Sequence, residues 1–216
     1  MISLVIFDCD GVLVDSERIG NQVLADHACA FGVPMSLQES MNQFVGLSMN
    51  SVVEKLGQMA GRQPPLDFLD KIQAETFARF QSQLQAVPGV VQSLNLIESM
   101  GLKTCVASSG GHDKLAVTLG LTGLKGRFEG RVYSASEVAR GKPAPDLFLY
   151  AAWKMDVDPA YAIVVEDSRP GVEAAVAAGM TVFGYAPDSD GKHLSALGAR
   201  PFHHMNDLPP LISALI

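Results

Sequence analysis

Asp8 and Asp10 stand two residues apart just past a short apolar run, Leu4-Val5-Ile6-Phe7. Ser108 follows a second such run, and Glu166 with Asp167 follows a third. Lys142 lies in the proline-flanked segment Gly141-Lys142-Pro143-Ala144-Pro145-Asp146. Carboxylate oxygens suit magnesium, a hard cation that keeps several of its waters. Together with Lys142, such an ion would neutralise charge on a transferring phosphoryl group, and Ser108 would hydrogen-bond to it. An aspartate can attack phosphorus and form an acyl phosphate, splitting one hard step into two. A second carboxyl group two residues on can protonate the leaving alcohol and later deprotonate the attacking water. Each feature alone has a plainer reading. Asp-x-Asp-Gly is also a turn after a strand. Ser108-Ser109-Gly110-Gly111 is also a flexible loop, Lys142 a solvated lysine, and Glu166-Asp167-Ser168 an N-cap cluster.

Convergence decides between these readings, and convergence is a property of the elements that carry the residues. The runs at 4–7, 103–107, 162–165 and 181–185 are continuous and apolar, as strands buried on both faces are. Helical patterns at 89–100, 113–119, 146–155 and 170–178 alternate with them, which predicts βαβ units. The fold class expected is therefore α/β: a doubly wound, Rossmann-like, mostly parallel sheet carrying an inserted all-helical domain. Ligands of such sheets bind outside the carboxyl ends of the strands, where Asp8, Asp10, Ser108, Glu166 and Asp167 all fall. The insertion is read from 17 to 85, leaving 1–16 and 86–216 as the α/β core. Apolar residues there recur at helical spacing: Val23, Leu24, Ala28 and Phe31, then Val52, Val53, Leu56 and Met59, then Phe68, Ile72, Phe77 and Phe80.

Bulk properties narrow the partners. The chain has 216 residues, 48% hydrophobic and 18% charged, enough for a full core. Its formal charge of −7 argues against a nucleic-acid partner, which demands a basic footprint. It also means that a phosphorylated small metabolite must meet a locally positive site. No stretch approaches the roughly 20 apolar residues of a membrane span, so no membrane partner is expected. Cys9, Cys29 and Cys105 are odd in number and lack metal-like spacing, and no basic start with a long apolar run opens the chain. A cytoplasmic protein with free thiols is expected, as a monomer or a dimer.

Four segments carry a family resemblance. Phe7-Asp8-Cys9-Asp10-Gly11-Val12-Leu13-Val14-Asp15-Ser16, Val106-Ala107-Ser108-Ser109, Lys142-Pro143-Ala144-Pro145-Asp146, and Val165-Glu166-Asp167-Ser168 with Gly171 resemble, in order, the four motifs of the haloacid dehalogenase-like hydrolases. The resemblance implies that Asp8 is the nucleophile and a magnesium ligand. Asp10 would be the general acid/base and bind the metal through its main-chain carbonyl. Asp167 would complete the ligand set with Glu166 in support, and Ser108 and Lys142 would hold the phosphoryl group beside Gly11 and Ser109. It also implies a helical cap that closes over the substrate on hinges near Asp15-Ser16 and Gln85-Pro88, and a loop around Gly46-Leu47-Ser48 that faces the site.

An aspartate at position 10 favours phosphate chemistry over the family's dehalogenases, whose halide leaves without a proton. The phosphonatase branch uses a cap lysine, and neither Lys55 nor Lys71 sits in a matching context. The β-phosphoglucomutase-like group carries a histidine where this chain has Gly20. Asp15-Ser16-Glu17 is similar instead to bacterial phosphatases of sugar and sugar-acid phosphates. The expected activity is phosphomonoester hydrolysis, with a sugar phosphomutase as one alternative and a non-catalytic metabolite binder as another. Glu17, Asn21 and His112 are further substrate-binding candidates; a solvated helix face is the better account of Glu17 and Asn21, and a surface or capping histidine explains His112 as well as substrate contact does. The pair His203-His204 reads as a sheet edge rather than a zinc site.

Overall fold

The structure, a computed structural model, describes residues 1–44 and 49–216. Its chain divides into two compact units: 1–14 with 85–216, and 15–84.

The first unit opens with β1 (Leu4–Phe7), all four residues buried. After it the chain runs into the second unit, which holds α1 (Ser16–Phe31), α2 (Leu37–Phe44), α3 (Met49–Ala60) and α4 (Phe68–Gln83). Gly32 closes α1 in the left-handed conformation, its N–H reaching the carbonyls of Ala28 and Cys29. The amphipathic spacing seen in the sequence buries Val23, Leu24, Ala28, Phe31, Val52, Leu56, Phe68 and Ile72 in one cluster with Phe44. Side chains of this size contribute roughly 1.5–3 kcal/mol each when fully buried, which gives the second unit a core of its own. Met59, expected on the same face, is exposed.

Back in the first unit, α5 (Val90–Ser99), β2 (Lys103–Ser108), α6 (His112–Leu121), β3 (Val132–Ser134), α7 (Asp146–Lys154), β4 (Ala162–Glu166), α8 (Arg169–Ala177), β5 (Thr181–Tyr185), α9 (Lys192–Ser195), β6 (Arg200–Phe202) and α10 (Leu208–Ser213) follow. The sheet is six-stranded in the order β3-β2-β1-β4-β5-β6, and every pairing is parallel. This is the expected α/β, doubly wound architecture, with two strands more than the apolar runs announce. Both extra strands are three residues long and lie at the edges, and β6 contains Pro201, which only an edge position tolerates.

Strand order reverses at β1, which sits between β2 and β4. Register then fixes which side chains meet. Phe7 is level with Val106 on one side and Val165 on the other. One residue further along, Asp8, Ala107 and Glu166 emerge together at the carboxyl edge, and the Asp8 N–H is tied to the Val165 carbonyl at 3.0 Å.

Candidate active site

Asp8 follows β1 directly and is nearly buried, at 7% exposure. Lys142 meets it there. The Lys142 Nζ donates to Asp8 Oδ1 at 2.6 Å, to Glu166 Oε1 at 2.6 Å and to the Ala107 carbonyl at 3.1 Å. Those three bonds match the three donors of an ammonium group. Its side chain is 4% exposed and lies 4.9 Å from the centre of the Phe148 ring. The expected phosphoryl grip of Lys142 is thus, in this structure, a grip on the nucleophile candidate itself. The Lys142–Pro143 peptide bond is cis.

Glu166 braces the lysine. Its second oxygen, Oε2, accepts from the N–H groups of Asp167 and Ser168 at 3.1 and 3.0 Å and from the Ser168 hydroxyl at 2.8 Å. Ser168 in turn caps α8 through the Gly171 N–H at 3.2 Å. This packing explains the glycine: a Cβ at Gly171 would lie 1.8 Å from the Glu166 carboxyl group. The capping and chemical readings of Glu166-Asp167-Ser168 therefore coexist. Oxygens of Asp8, Glu166 and Asp167 lie within 4.8 Å of one another, as a cation site requires. Since both Glu166 oxygens are already engaged, Asp8 and Asp167 are the members of that set suited to hold an ion, with Glu166 behind them.

The electrostatics follow from burial. Loss of water pushes the Asp8 carboxyl up to about 7, against the attraction of Lys142 and with the negative charges of Glu166 and Asp10 adding to the rise. Burial works against the Lys142 charge, but Asp8 and Glu166 more than offset it and hold that ammonium above the ordinary lysine range. Cys9, between the two aspartates, is fully buried, and burial raises its thiol strongly. It faces the core as strand alternation implies.

Asp10 sits at the start of a tight turn. Gly11 has φ +75°, which a side chain would strain, and its N–H reaches the Val14 carbonyl at 2.9 Å. The Asp10 carboxylate is paired with Lys114 of α6 at 2.7 Å. Lys114 was not among the sequence candidates. One signal was available: a lysine in the first turn of a helix opposes the macrodipole and calls for an anion nearby.

Ser108 ends β2, buried, its hydroxyl accepting the Gly110 N–H at 3.1 Å. Ser109 is exposed beside it. His112, a substrate-binding candidate, pairs with Glu137 at 3.0 Å. Glu137 also accepts from the Ser134 N–H at 2.7 Å and the Tyr150 hydroxyl at 3.1 Å, while the Ser134 hydroxyl donates to the Gly110 carbonyl at 2.8 Å. His112 therefore helps brace the loop that carries Ser108. In the helical unit, Asn21 donates to the Glu17 carbonyl at 2.9 Å and accepts from the buried Ser40 hydroxyl at 3.0 Å. Asn21, a substrate-binding candidate of α1, thus takes part in that unit's own packing, and the Glu17 side chain lies 3.4 Å from its amide within the same helix. Gly46 lies outside the described residues. His203 follows the edge strand β6 and bonds the Ala186 carbonyl at 2.7 Å.

The family model described as haloacid dehalogenase-like hydrolase matches residues 5–185. A 6-phosphogluconate phosphatase of Escherichia coli is 29% identical over 99% of this chain and 96% of its own. A conserved haloacid dehalogenase-like protein from Agrobacterium tumefaciens superposes with a TM-score of 0.92 at 33% identity, covering 100% of this chain and 99% of that one. A HAD family hydrolase from Deinococcus radiodurans, solved with bound phosphate and sodium, gives 0.87 at 31% identity, covering 99% and 96%. The chain belongs to the haloacid dehalogenase-like hydrolases.

Proposed function

We propose that this chain is a magnesium-dependent phosphatase of small phosphorylated metabolites, of the sugar or sugar-acid type, that works through a phosphoaspartyl intermediate on Asp8. The observation that carries the reading is the ion-paired line Asp8–Lys142–Glu166, with 2.6 Å at each link, at the carboxyl edge of the sheet. Burying an aspartate with such partners is expensive unless its charge is used. The name of the Escherichia coli relative and the phosphate bound by the Deinococcus relative support the substrate class.

The donors fit magnesium. They are hard oxygens, and the rise in the Asp8 pKa is what a neighbouring dication would oppose. Asp8, Asp167 and the main-chain carbonyl of Asp10 would hold it, and when bound it neutralises charge on the phosphoryl group. Lys142 orients Asp8 and Ser108 donates to a phosphoryl oxygen. An Asp8 oxygen attacks phosphorus, the bond from phosphorus to the ester oxygen breaks, and Asp10 gives its proton to that oxygen. Alcohol leaves, and Asp8 carries an acyl phosphate. Water then attacks the same phosphorus and loses a proton to Asp10. The phosphorus–Asp8 bond breaks, phosphate departs, and both carboxyl groups return to their starting forms.

Three free cysteines, two of them buried, support a reducing, cytoplasmic setting. No described helix is long and apolar enough to cross a membrane.

Phosphate release from a panel of sugar and sugar-acid phosphates, with magnesium and with a chelator, tests the activity. Acid quenching with labelled 6-phosphogluconate tests the intermediate: label should stay on the chain in a hydroxylamine-sensitive bond and be absent from Asp8→Asn. Asp8→Asn should lose more than about a thousandfold in kcat, roughly 4 kcal/mol of barrier. Wild-type-like turnover by that variant would sink the mechanism. Conversion of a hexose 1-phosphate to the 6-phosphate, primed by a bisphosphate and without phosphate release, would mark a mutase instead. Gly20, which offers no imidazole where that group has a histidine, supports the hydrolase.

A further inference from the structure

Lys114 is placed against the grain of its helix. It lies in the first turn of α6, the positive end of the macrodipole, where a cation is disfavoured by about 0.3–1 kcal/mol. Burial also works against its charge, yet Asp10 holds the ammonium above the ordinary lysine range. The Nζ donates to Asp10 Oδ2 at 2.7 Å, with the two side chains 35% and 19% exposed.

A second contact lies on the same face of the helix, one turn on. The Thr118 hydroxyl is 3.8 Å from the Cys9 sulfur, and that hydroxyl also donates to the Lys114 carbonyl at 3.1 Å. α6 therefore grips two successive residues of the loop that leaves β1. That loop has left the sheet ladder: Gly11 turns it, and an isolated bridge joins Asp10 to Val14. Main-chain contacts fix where Asp10 is, and the ion pair to α6 bears on where its carboxyl group points, through Oδ2.

We propose that Lys114 is the positioning residue of the acid/base step, holding the Asp10 carboxyl group through Oδ2 in the orientation from which it serves the ester oxygen and then the attacking water. The inference rests on the reading of Asp10 as that acid/base. Its role runs through Asp10, whose Oδ2 it holds at 2.7 Å. Misplacing a catalytic group by about 1 Å costs on the order of a hundredfold, and general acid–base catalysis itself supplies about 10²–10⁴. The loss should therefore appear only where a proton must be moved.

Two esters separate the cases. The alcohol of 6-phosphogluconate needs a proton to leave, whereas 4-nitrophenolate departs from 4-nitrophenyl phosphate without one. Lys114→Met in the full chain with magnesium should lower kcat on 6-phosphogluconate by about 10–100-fold, with KM within about twofold. With 4-nitrophenyl phosphate the same variant should form the phosphoenzyme within about threefold of the wild-type rate. It should then stall at hydrolysis, giving a burst of about one nitrophenolate per chain. Lys114→Arg, which keeps the ion pair, should recover most of the loss. Equal losses on both esters with no burst, or no loss on either, would overturn the assignment. A wild-type chain inert on both esters would instead overturn the phosphatase reading, a result visible before any variant is made.

Discussion

At the carboxyl edge of the sheet, Asp8, Lys142 and Glu166 form a line of ion pairs from which water is nearly excluded. In the unit 15–84, by contrast, polar groups pair in ways that folding alone explains. Ser40 of α2 donates to Asn21 of α1, whose amide in turn donates to the Glu17 main-chain carbonyl, and Arg79 ties Asp26 to Glu75 on a half-exposed face. The two regions use the same residue types under different constraints. Exposed pairs are worth about 0–1 kcal/mol and need no further purpose. Charges buried at a strand end are a structural liability, and they persist where chemistry uses them.

The sharpest way to break the contrast is Gly171→Ala. A methyl group there would lie 1.8 Å from the Glu166 carboxyl group, so either α8 or the carboxylate must move. Moving the carboxylate frees Lys142, and breaking a buried pair costs about 3–5 kcal/mol. The substitution should lower stability by about 3 kcal/mol in urea unfolding and lower kcat by about a hundredfold. A variant with the wild-type unfolding midpoint and turnover would show that the Glu166 brace is dispensable.

The two regions should also respond to pH in opposite senses. Asp8 titrates near 3.8 when unfolded and near 7 when folded. Between those values the folded chain keeps a proton that the unfolded chain has lost, so stability falls as pH rises through that window and levels above it. In the helical unit, hydrogen bonds from Arg79 and His27 hold Glu75 below the ordinary glutamate range. Its contribution is present above that range and is lost as pH falls. With a chelator present, Asp8→Asn removes the first slope and leaves the second. Between about pH 4 and 7, wild type should lose at least about 1.4 kcal/mol relative to the variant, the equivalent of a tenfold difference in proton affinity. Parallel stability curves would remove the case for a buried, proton-hungry nucleophile.

The difference between the regions also explains what the sequence disclosed. Asp8, Ser108 and Glu166 were legible because each follows or ends an apolar run, and parallel register brings such ends level. The edge strands Val132–Ser134 and Arg200–Phe202 were not, since three residues carry no periodicity. Lys114 was hidden among 16 basic residues because its meaning depends on a partner 104 positions away. For Asn21 the difficulty is chemical: the amide that would read a sugar hydroxyl is the one that joins α1 to α2 through Ser40. His112 turned out to be paired with Glu137 for a similar reason. Pattern reports which elements exist, and pairing across elements decides what their polar residues do.

Smaller effects test the helical unit itself. Ser40→Ala removes a fully buried hydroxyl that donates to Asn21, and should cost about 1 kcal/mol of stability with kcat for phosphate release within about twofold of wild type. A large fall in kcat with little change in stability would move this cluster from packing to substrate reading. Gly20 poses the gentlest question. It lies inside α1, where glycine is worse than alanine by about 0.5–1 kcal/mol because the unfolded chain loses more freedom. Apart from its chain neighbours and the helix's own backbone, no described atom lies within 4 Å of where its Cβ would be, so crowding from other elements does not require the glycine. Gly20→Ala should therefore raise stability by about 0.5–1 kcal/mol, read as a higher urea midpoint at unchanged slope. If the methyl group stabilises the chain and also raises KM for its best phosphate ester several-fold, the open space above Gly20 belongs to the substrate. If KM does not move, the glycine is a weakness of the helix with no part in recognition, and the contrast between the two regions holds down to this residue.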